Sequence, residues 1–468
     1  SIKTGNDTNP VVFKPTSWAN SSYKDPTFSP AQTDPMYPQY PNRYILAKDD
    51  LPSLELNLTF DSGATSGSIS KNSTTFYSAN TTSPSYVPDV ALIPTQTLTQ
   101  TSSKNYKANL IFNGSNTVSG STDIENGNIE IKGNTNFGGA VTAGSINMNT
   151  TNPTDTATFG SSVSLSSGTG TLNFGQNGNI ILNSSFSGNI TTTNNDGNIT
   201  TIGTNNINGN IGTSSNSLDS LNIGNPTTIS TTTINGDVFV DSTVLNNNGT
   251  TNNSTLILKD GSNITSNIIS SNANMGILTL EGNSTVSGNV GVGNALKNVN
   301  SGLTGTTSTF KGTVNSENII NTGSGITNFE AAVTATNVNV NAGTSNFEKG
   351  LTATTTTITS GTGNFNTDGS STTTTGIVFG GSGTANLNNG LTGDINFAGN
   401  NANVNVSHEK GIFGSVQTLA NNTGIVNYQG DGEITGNIGE KIGNAYYGIQ
   451  ELNINTNNQQ NSGGTGVV

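Results

Sequence analysis

Between residues 310 and 365 the chain repeats one phrase: an aromatic residue, two or three small or polar residues, then an apolar-Thr-Ala or apolar-Thr-Gly step. It reads Phe310-Lys311-Gly312-Thr313-Val314, Phe329-Glu330-Ala331-Ala332-Val333-Thr334-Ala335 and Phe347-Glu348-Lys349-Gly350-Leu351-Thr352-Ala353, with Phe365 next. The phrase also occurs early, as Phe137-Gly138-Gly139-Ala140-Val141-Thr142-Ala143, and late, as Leu387-Asn388-Asn389-Gly390-Leu391-Thr392-Gly393. A period just under about twenty residues implies stacked structural units, because each unit is too small to bury its apolar face alone. The same spacing returns a position to the same side of successive units. Phe137, Phe310, Phe329, Phe347 and Phe365 are therefore expected to form a core repeat, pointing inward.

Composition decides which unit is stacked. Strong helix formers are scarce, while Thr, Ser, Asn and 58 glycines dominate, which argues against long helices. Short alternating stretches recur instead: Ile129-Glu130-Ile131, Val238-Phe239-Val240, Ile277-Leu278-Thr279-Leu280, Val338-Asn339-Val340, Val404-Asn405-Val406. Each is bounded on at least one side by Gly, Asn, Asp or Ser, the residues of tight corners. A finer phrase marks corners directly: Gly178-Asn179-Ile180, Gly188-Asn189-Ile190, Gly197-Asn198-Ile199 and Gly209-Asn210-Ile211, spaced at about half a coil. Coils of two or three strands with Asn/Gly corners predict an all-β fold, a right-handed parallel β-helix (β-solenoid). Only 30% of residues are hydrophobic and 9% charged. Disorder is the competing reading of such a chain, but it usually comes with high charge, whereas here apolar residues recur at strand spacing.

A solenoid grows in one dimension, so 468 residues need not split into several compact domains. Coiling at about 19 residues per turn from residue 108 to 450 predicts about eighteen coils and, at strand spacing, a rod roughly 85 Å long. Prolines and tyrosines concentrate before about residue 105, so the expected organisation has three parts. Residues 1–105 form a Pro/Tyr-rich N-terminal arm or cap, 106–450 the β-solenoid, and 451–468 a polar Gly/Asn-rich tail. The segment Asp34-Pro35-Met36-Tyr37-Pro38-Gln39-Tyr40-Pro41-Asn42-Arg43-Tyr44 suits an extended arm. Tyr37, Tyr40, Arg43 and Tyr44 are the candidate contacts to a neighbouring subunit, the alternative being a plug over the first coil.

Few residues of the chain point to chemistry. The chain has one histidine, His408, and no cysteine, too few for a familiar zinc set or a Cys-His pair. His408 reads as a surface turn residue. The densest acidic group, Asp431-Gly432-Glu433 with Glu440, reads as solvated turns rather than the paired carboxylates of a glycosidase. Gly380-Gly381-Ser382-Gly383-Thr384-Ala385 approaches a calcium nonapeptide but lacks its aspartate. No catalytic residue, cofactor or metal ligand is therefore assigned, and the chain is expected not to be an enzyme. A net charge of −13 argues against nucleic acid and anionic membranes. No apolar run is long enough to insert in a membrane, and the absence of cysteine suits an extracellular chain stabilised without disulfides.

Residues 234–303 are more specific. Ile234-Asn235-Gly236-Asp237-Val238, Thr255-Leu256-Ile257-Leu258-Lys259-Asp260-Gly261-Ser262-Asn263-Ile264 and Leu278-Thr279-Leu280-Glu281-Gly282-Asn283-Ser284-Thr285-Val286-Ser287-Gly288-Asn289-Val290-Gly291 resemble passenger domains of rickettsial surface cell antigens, the outer membrane protein A and B autotransporters. The resemblance covers about residues 108–450. It implies a bacterial surface β-helix used for adhesion or as a surface coat. Nothing after Gly463-Gly464 looks like a translocator barrel, and the leading region departs from the family. The expectation is either a cleaved passenger or a related module built into a free-standing subunit. The leading expectation is an extracellular structural protein of the bacterial cell surface whose partner is itself, assembling into a filament or surface layer. The alternative is an adhesin passenger for host protein or glycan.

Overall fold

A computed structural model describes residues 55–65, 69–70, 107–249, 251–365, 371–373, 376–407, 411–429 and 432–455. Almost every regular element among them is a short β-strand, the exception being a single 3-10 turn at Ser166–Gly168. Strands of successive coils pair in parallel, and the described residues make a β-solenoid of about 15 turns. The shortfall from eighteen comes from coils longer than the ~19 residues of the phenylalanine phrase. Asn128 pairs with Ser145 and Ser145 in turn with Thr171, the second step being half as long again as the first, because loops at the corners absorb the difference. The chain forms two compact units, Ser1–Asp219 and Ser220–Val468.

In the first unit each coil carries three short strands, and like strands stack into three columns. One runs Asn128–Ile131, Ser145–Met148, Thr171–Phe174, Asn189–Thr192, a second Thr135–Phe137, Thr156–Phe159, Asn179–Leu182, Asn198–Thr201, and a third Val141–Ala143, Val163–Leu165, Phe186–Ser187. Alternation puts one side chain in two inside, as strand geometry requires: Ile129 and Ile131, Ile146 and Met148, Leu172 and Phe174 are all buried. The first column also takes in Glu55–Thr65, which pairs with Lys107–Val118 across a step far longer than any other coil.

The Gly-Asn-Ile corners stack alternately. Asn179 lies on Asn198 and Ile180 on Ile199, while Ile190 bridges Ile211. At the second corner Asn210 donates its backbone N–H to Asn189 Oδ1 at 2.9 Å. Gly209 sits at φ +141°, and a Cβ there would collide with the Gly188 carbonyl oxygen. Only glycine tolerates both that backbone and that approach.

In the second unit two of the three columns are often joined into one bent strand. Val333–Val340 pairs with Val314–Asn321 on one side and with Leu351–Ile358 on the other. Thr336 and Asn337 both face outward, which shifts the alternation by one residue. Val333 and Ala335 before the bend, and Val338 and Val340 after it, can then all be buried. The remaining column runs Thr307–Phe310, Ile326–Phe329, Thr344–Phe347, Thr362–Phe365, Thr384–Leu387, Asn403–Val406, Ile425–Gln429 and Glu451–Asn455.

Candidate assembly surfaces

The long column of the second unit sets the geometry. Phe310, Phe329, Phe347 and Phe365 occupy equivalent positions in successive coils, fully buried. Their rings stack with centroids 5.1, 5.0 and 5.4 Å apart and planes within 10° of parallel. The row continues through Leu387, Val406 and Tyr428 to Ile454. Phe137 belongs to the first unit, where it is buried, stacks on Phe159 at 5.3 Å and meets Phe112 edge-on. Removing each such ring from water contributes about 2 kcal/mol, and offset stacking adds to that.

Beside the phenylalanines runs a second row that the aromatic phrase conceals. Asn346 Nδ2 donates to Asn328 Oδ1 at 2.7 Å, and Asn364 donates to Asn346, Asn386 to Asn364, Asn405 to Asn386, Asn427 to Asn405 and Asn453 to Asn427, all between 2.6 and 3.0 Å. Each asparagine precedes a row apolar residue, in Asn328-Phe329, Asn346-Phe347 and onward to Asn453-Ile454. That dipeptide at coil spacing is the signal that would have revealed the ladder. An amide suits it because it carries both donor and acceptor.

Corners are held by another device. Asp237 Oδ1 accepts the backbone N–H of Asn263, whose own Oδ1 accepts that of Thr285. Asp260 Oδ1 accepts the N–H of Asn283 at 2.7 Å, and Asn283 passes the pattern to Thr307. Asn267, Asn289 and Thr313 make a third series. Where the strand ladder breaks at a corner, a side-chain oxygen of the coil below satisfies the orphaned donor. The backbone N–H and side-chain amide of Asn283 hold the Asp260 carboxyl below the usual aspartate range. Paired charges are few among the described residues, the clearest being Lys259 with Glu281 and Lys132 with Glu130.

The last described turn differs from those before it. Its inward positions continue the buried rows, Ile434 from Ile412, Ile438 from Val416, Leu452 from Val426 and Ile454 from Tyr428. Yet Ile438 is 44% and Ile454 40% exposed, where Val416 and Val426 are at 0%. Among the described residues no strand pairs with the far edge of Glu451–Asn455. An antiparallel hairpin, Glu440–Ile442 with Ala445–Tyr447, leaves this turn with Ile442 and Tyr446 exposed and the Lys441 ammonium 5.0 Å from the Tyr446 ring centre. One coil below, burial first and then the Glu433 carboxylate push the Tyr428 hydroxyl up to about 12.

A lateral column carries a different chemistry. Thr334, Thr352, Thr372, Thr392 and Phe413 fall in register on successive coils. Thr334, Thr352 and Thr392 are exposed, and Phe413 is 54% exposed. Tyr37, Tyr40, Arg43 and Tyr44, together with His408 and Asp431, lie outside the described residues. Among those described, no group of three or more His, Cys, Asp or Glu is placed to hold a metal ion, and no helix is long and apolar enough to cross a membrane. Comparison with models of protein families, with curated proteins and with solved structures finds no match.

Proposed function

We propose that this chain is a non-enzymatic structural protein of the bacterial cell surface that assembles with copies of itself into a filament or layer through the ends of its coils. The observation that carries this reading is the last described turn, where Ile438, Leu452 and Ile454 hold core positions with no described strand stacked on them. An exposed apolar edge with unpaired backbone groups is a template for another strand. The resemblance of residues 108–450 to surface passenger domains supports the extracellular placement. The segment with Tyr37, Tyr40, Arg43 and Tyr44 is proposed to reach a neighbouring copy, since proline lowers the entropy lost on docking and tyrosine adds apolar area with a polar tip. The test is electron microscopy and light scattering of the purified chain over a wide concentration range. Concentration-dependent polymers are expected, and monomers at every concentration would overturn the reading.

The lateral column of Thr334, Thr352, Thr392 and Phe413 favours a second reading, an adhesin face for glycan. Hydroxyls at regular spacing offer hydrogen bonds to sugar hydroxyls, and an exposed ring packs against the apolar face of a pyranose. Binding to immobilised glycans that is lost in Phe413→Ala, with polymer formation unchanged, is the expected signature. Glycan binding indifferent to Phe413 removes this reading.

A further inference from the structure

The first and last paired strands in chain order open on nearly the same short text, differing only in Leu58 against Ile454. Glu55-Leu56-Asn57-Leu58 opens the strand Glu55–Thr65, and Glu451-Leu452-Asn453-Ile454 opens the strand Glu451–Asn455. The phase of the text is also the same. Asn57 stands opposite Asn109, and Asn453 stands opposite Asn427, in each case an asparagine facing an asparagine in the next strand inward. Both strands pair in parallel on one edge, and among the described residues neither pairs on the other.

We infer that the outer edge of Glu451–Asn455 in one copy pairs in parallel with the outer edge of Glu55–Thr65 in a second copy, with Asn453 in register with Asn57. This rests on the self-assembly reading above and assigns its interface. In that register Leu452 stands opposite Leu56 and Ile454 opposite Leu58, so the exposed Ile454 meets an apolar residue. Asn453, where the amide row ends, then stands opposite Asn57, itself in register with Asn109 and Asn128 of the same copy. The contact joins two different surfaces, so it is heterologous and builds a ring or an open filament rather than a two-fold dimer. The same register sets Glu451 beside Glu55, and like charges directly opposite weaken a strand pair. That repulsion keeps assembly reversible, and Glu451→Lys strengthens it.

The chain contains no cysteine, which makes the register directly testable. Neighbouring strands lie about 4.8 Å apart, within the Cα separation a disulfide spans. Two single variants of the full chain, Asn57→Cys and Asn453→Cys, are mixed and oxidised. The expected product is the mixed disulfide dimer, in several-fold excess over either homodimer. Predominant Asn453→Cys homodimers would mean tail-to-tail docking and overturn the inference. Polymers that form in the unsubstituted protein without the mixed disulfide would also overturn it, while leaving self-assembly standing. Monomers of the unsubstituted protein throughout would instead remove the self-assembly reading and this interface with it. As a second measurement, Ile454→Asp raises the concentration needed for assembly about tenfold or more, and Glu451→Lys lowers it. Ile454→Asp lies in the final described strand, so its far-UV spectrum is expected to stay β-rich. Should that variant fail to fold, the cross-linking experiment decides alone.

Discussion

Asn364 Nδ2 donates to Asn346 Oδ1 at 2.6 Å, while the next residues of the same two strands, Phe365 and Phe347, stack at 5.4 Å. One pair faces outward and half-buried, the other inward and dry. Each coil is therefore tied to its neighbour on both faces of a single strand, by a directional amide bond outside and by apolar contact inside.

Replacing Asn364 with alanine removes two links, to Asn346 and from Asn386. At about 1 kcal/mol net for each hydrogen bond, the expected loss is roughly 1–2 kcal/mol. Asn364→Asp keeps the acceptor for Asn386 and loses only the donation to Asn346, so it is expected to cost less than alanine, about 1 kcal/mol. Denaturant midpoints of the two variants and the parent check this.

Phe347→Ala opens a cavity between two stacked rings and is expected to destabilise by about 3–5 kcal/mol. Phe347→Leu costs less, since the equivalent position two coils on is already Leu387. A solenoid is held by nearest-neighbour contacts, so the damage is local. Hydrogen exchange should rise first in Ile326–Phe329, Thr344–Phe347 and Thr362–Phe365, and an even rise along the chain would contradict this.

Glycines with positive φ are not equivalent. Gly249→Ala, at φ +71° with nothing within 4 Å of the added Cβ, is expected to cost about 1 kcal/mol from backbone strain alone. Gly209→Ala adds a collision with the Gly188 carbonyl and should cost more than twice as much. Thermal unfolding of the pair measures the difference.

Tyr428 makes stability sensitive to alkali. Its hydroxyl is raised to about 12 in the folded protein, against about 10 for an unfolded tyrosine, so the unfolded state loses the proton first. The contribution is complete below pH ~10 and is lost as pH rises towards the folded value. Melting temperature should therefore fall between about pH 10 and 12 in the parent and fall less in Tyr428→Phe.

Much of this architecture is legible in the residues themselves, because alternation is a direct code for inside and outside. Val338-Asn339-Val340 reads as a strand with its valines inward, and both valines are buried. The asparagine row escapes notice because asparagine is everywhere in the chain, and only its pairing with the following apolar residue singles it out. The bend at Thr336-Asn337 is equally hidden, since two outward residues in succession look like the end of a strand rather than its continuation. Coil number is overestimated because the spacing of the phrase at residues 310–365 is shorter than that of coils such as the one from Asn427 to Asn453. The strand Glu55–Thr65 lies amid proline-rich text and finds its partner only at Lys107–Val118, beyond the range of any local pattern.

The unevenness of the coils carries its own consequence. Strand registers are set by the columns, and the corner loops change length without disturbing them, since closing a longer loop adds only about 0.6 kcal/mol for each doubling. The stretch between Met148 and Thr156 accommodates several residues more than the matching corner between Phe112 and Asn116, yet both lead into the same column. A gene for such a chain can gain or lose short runs of codons at its corners and still encode the same frame. Its surface is thus open to variation by insertion, while its interior changes only by substitution.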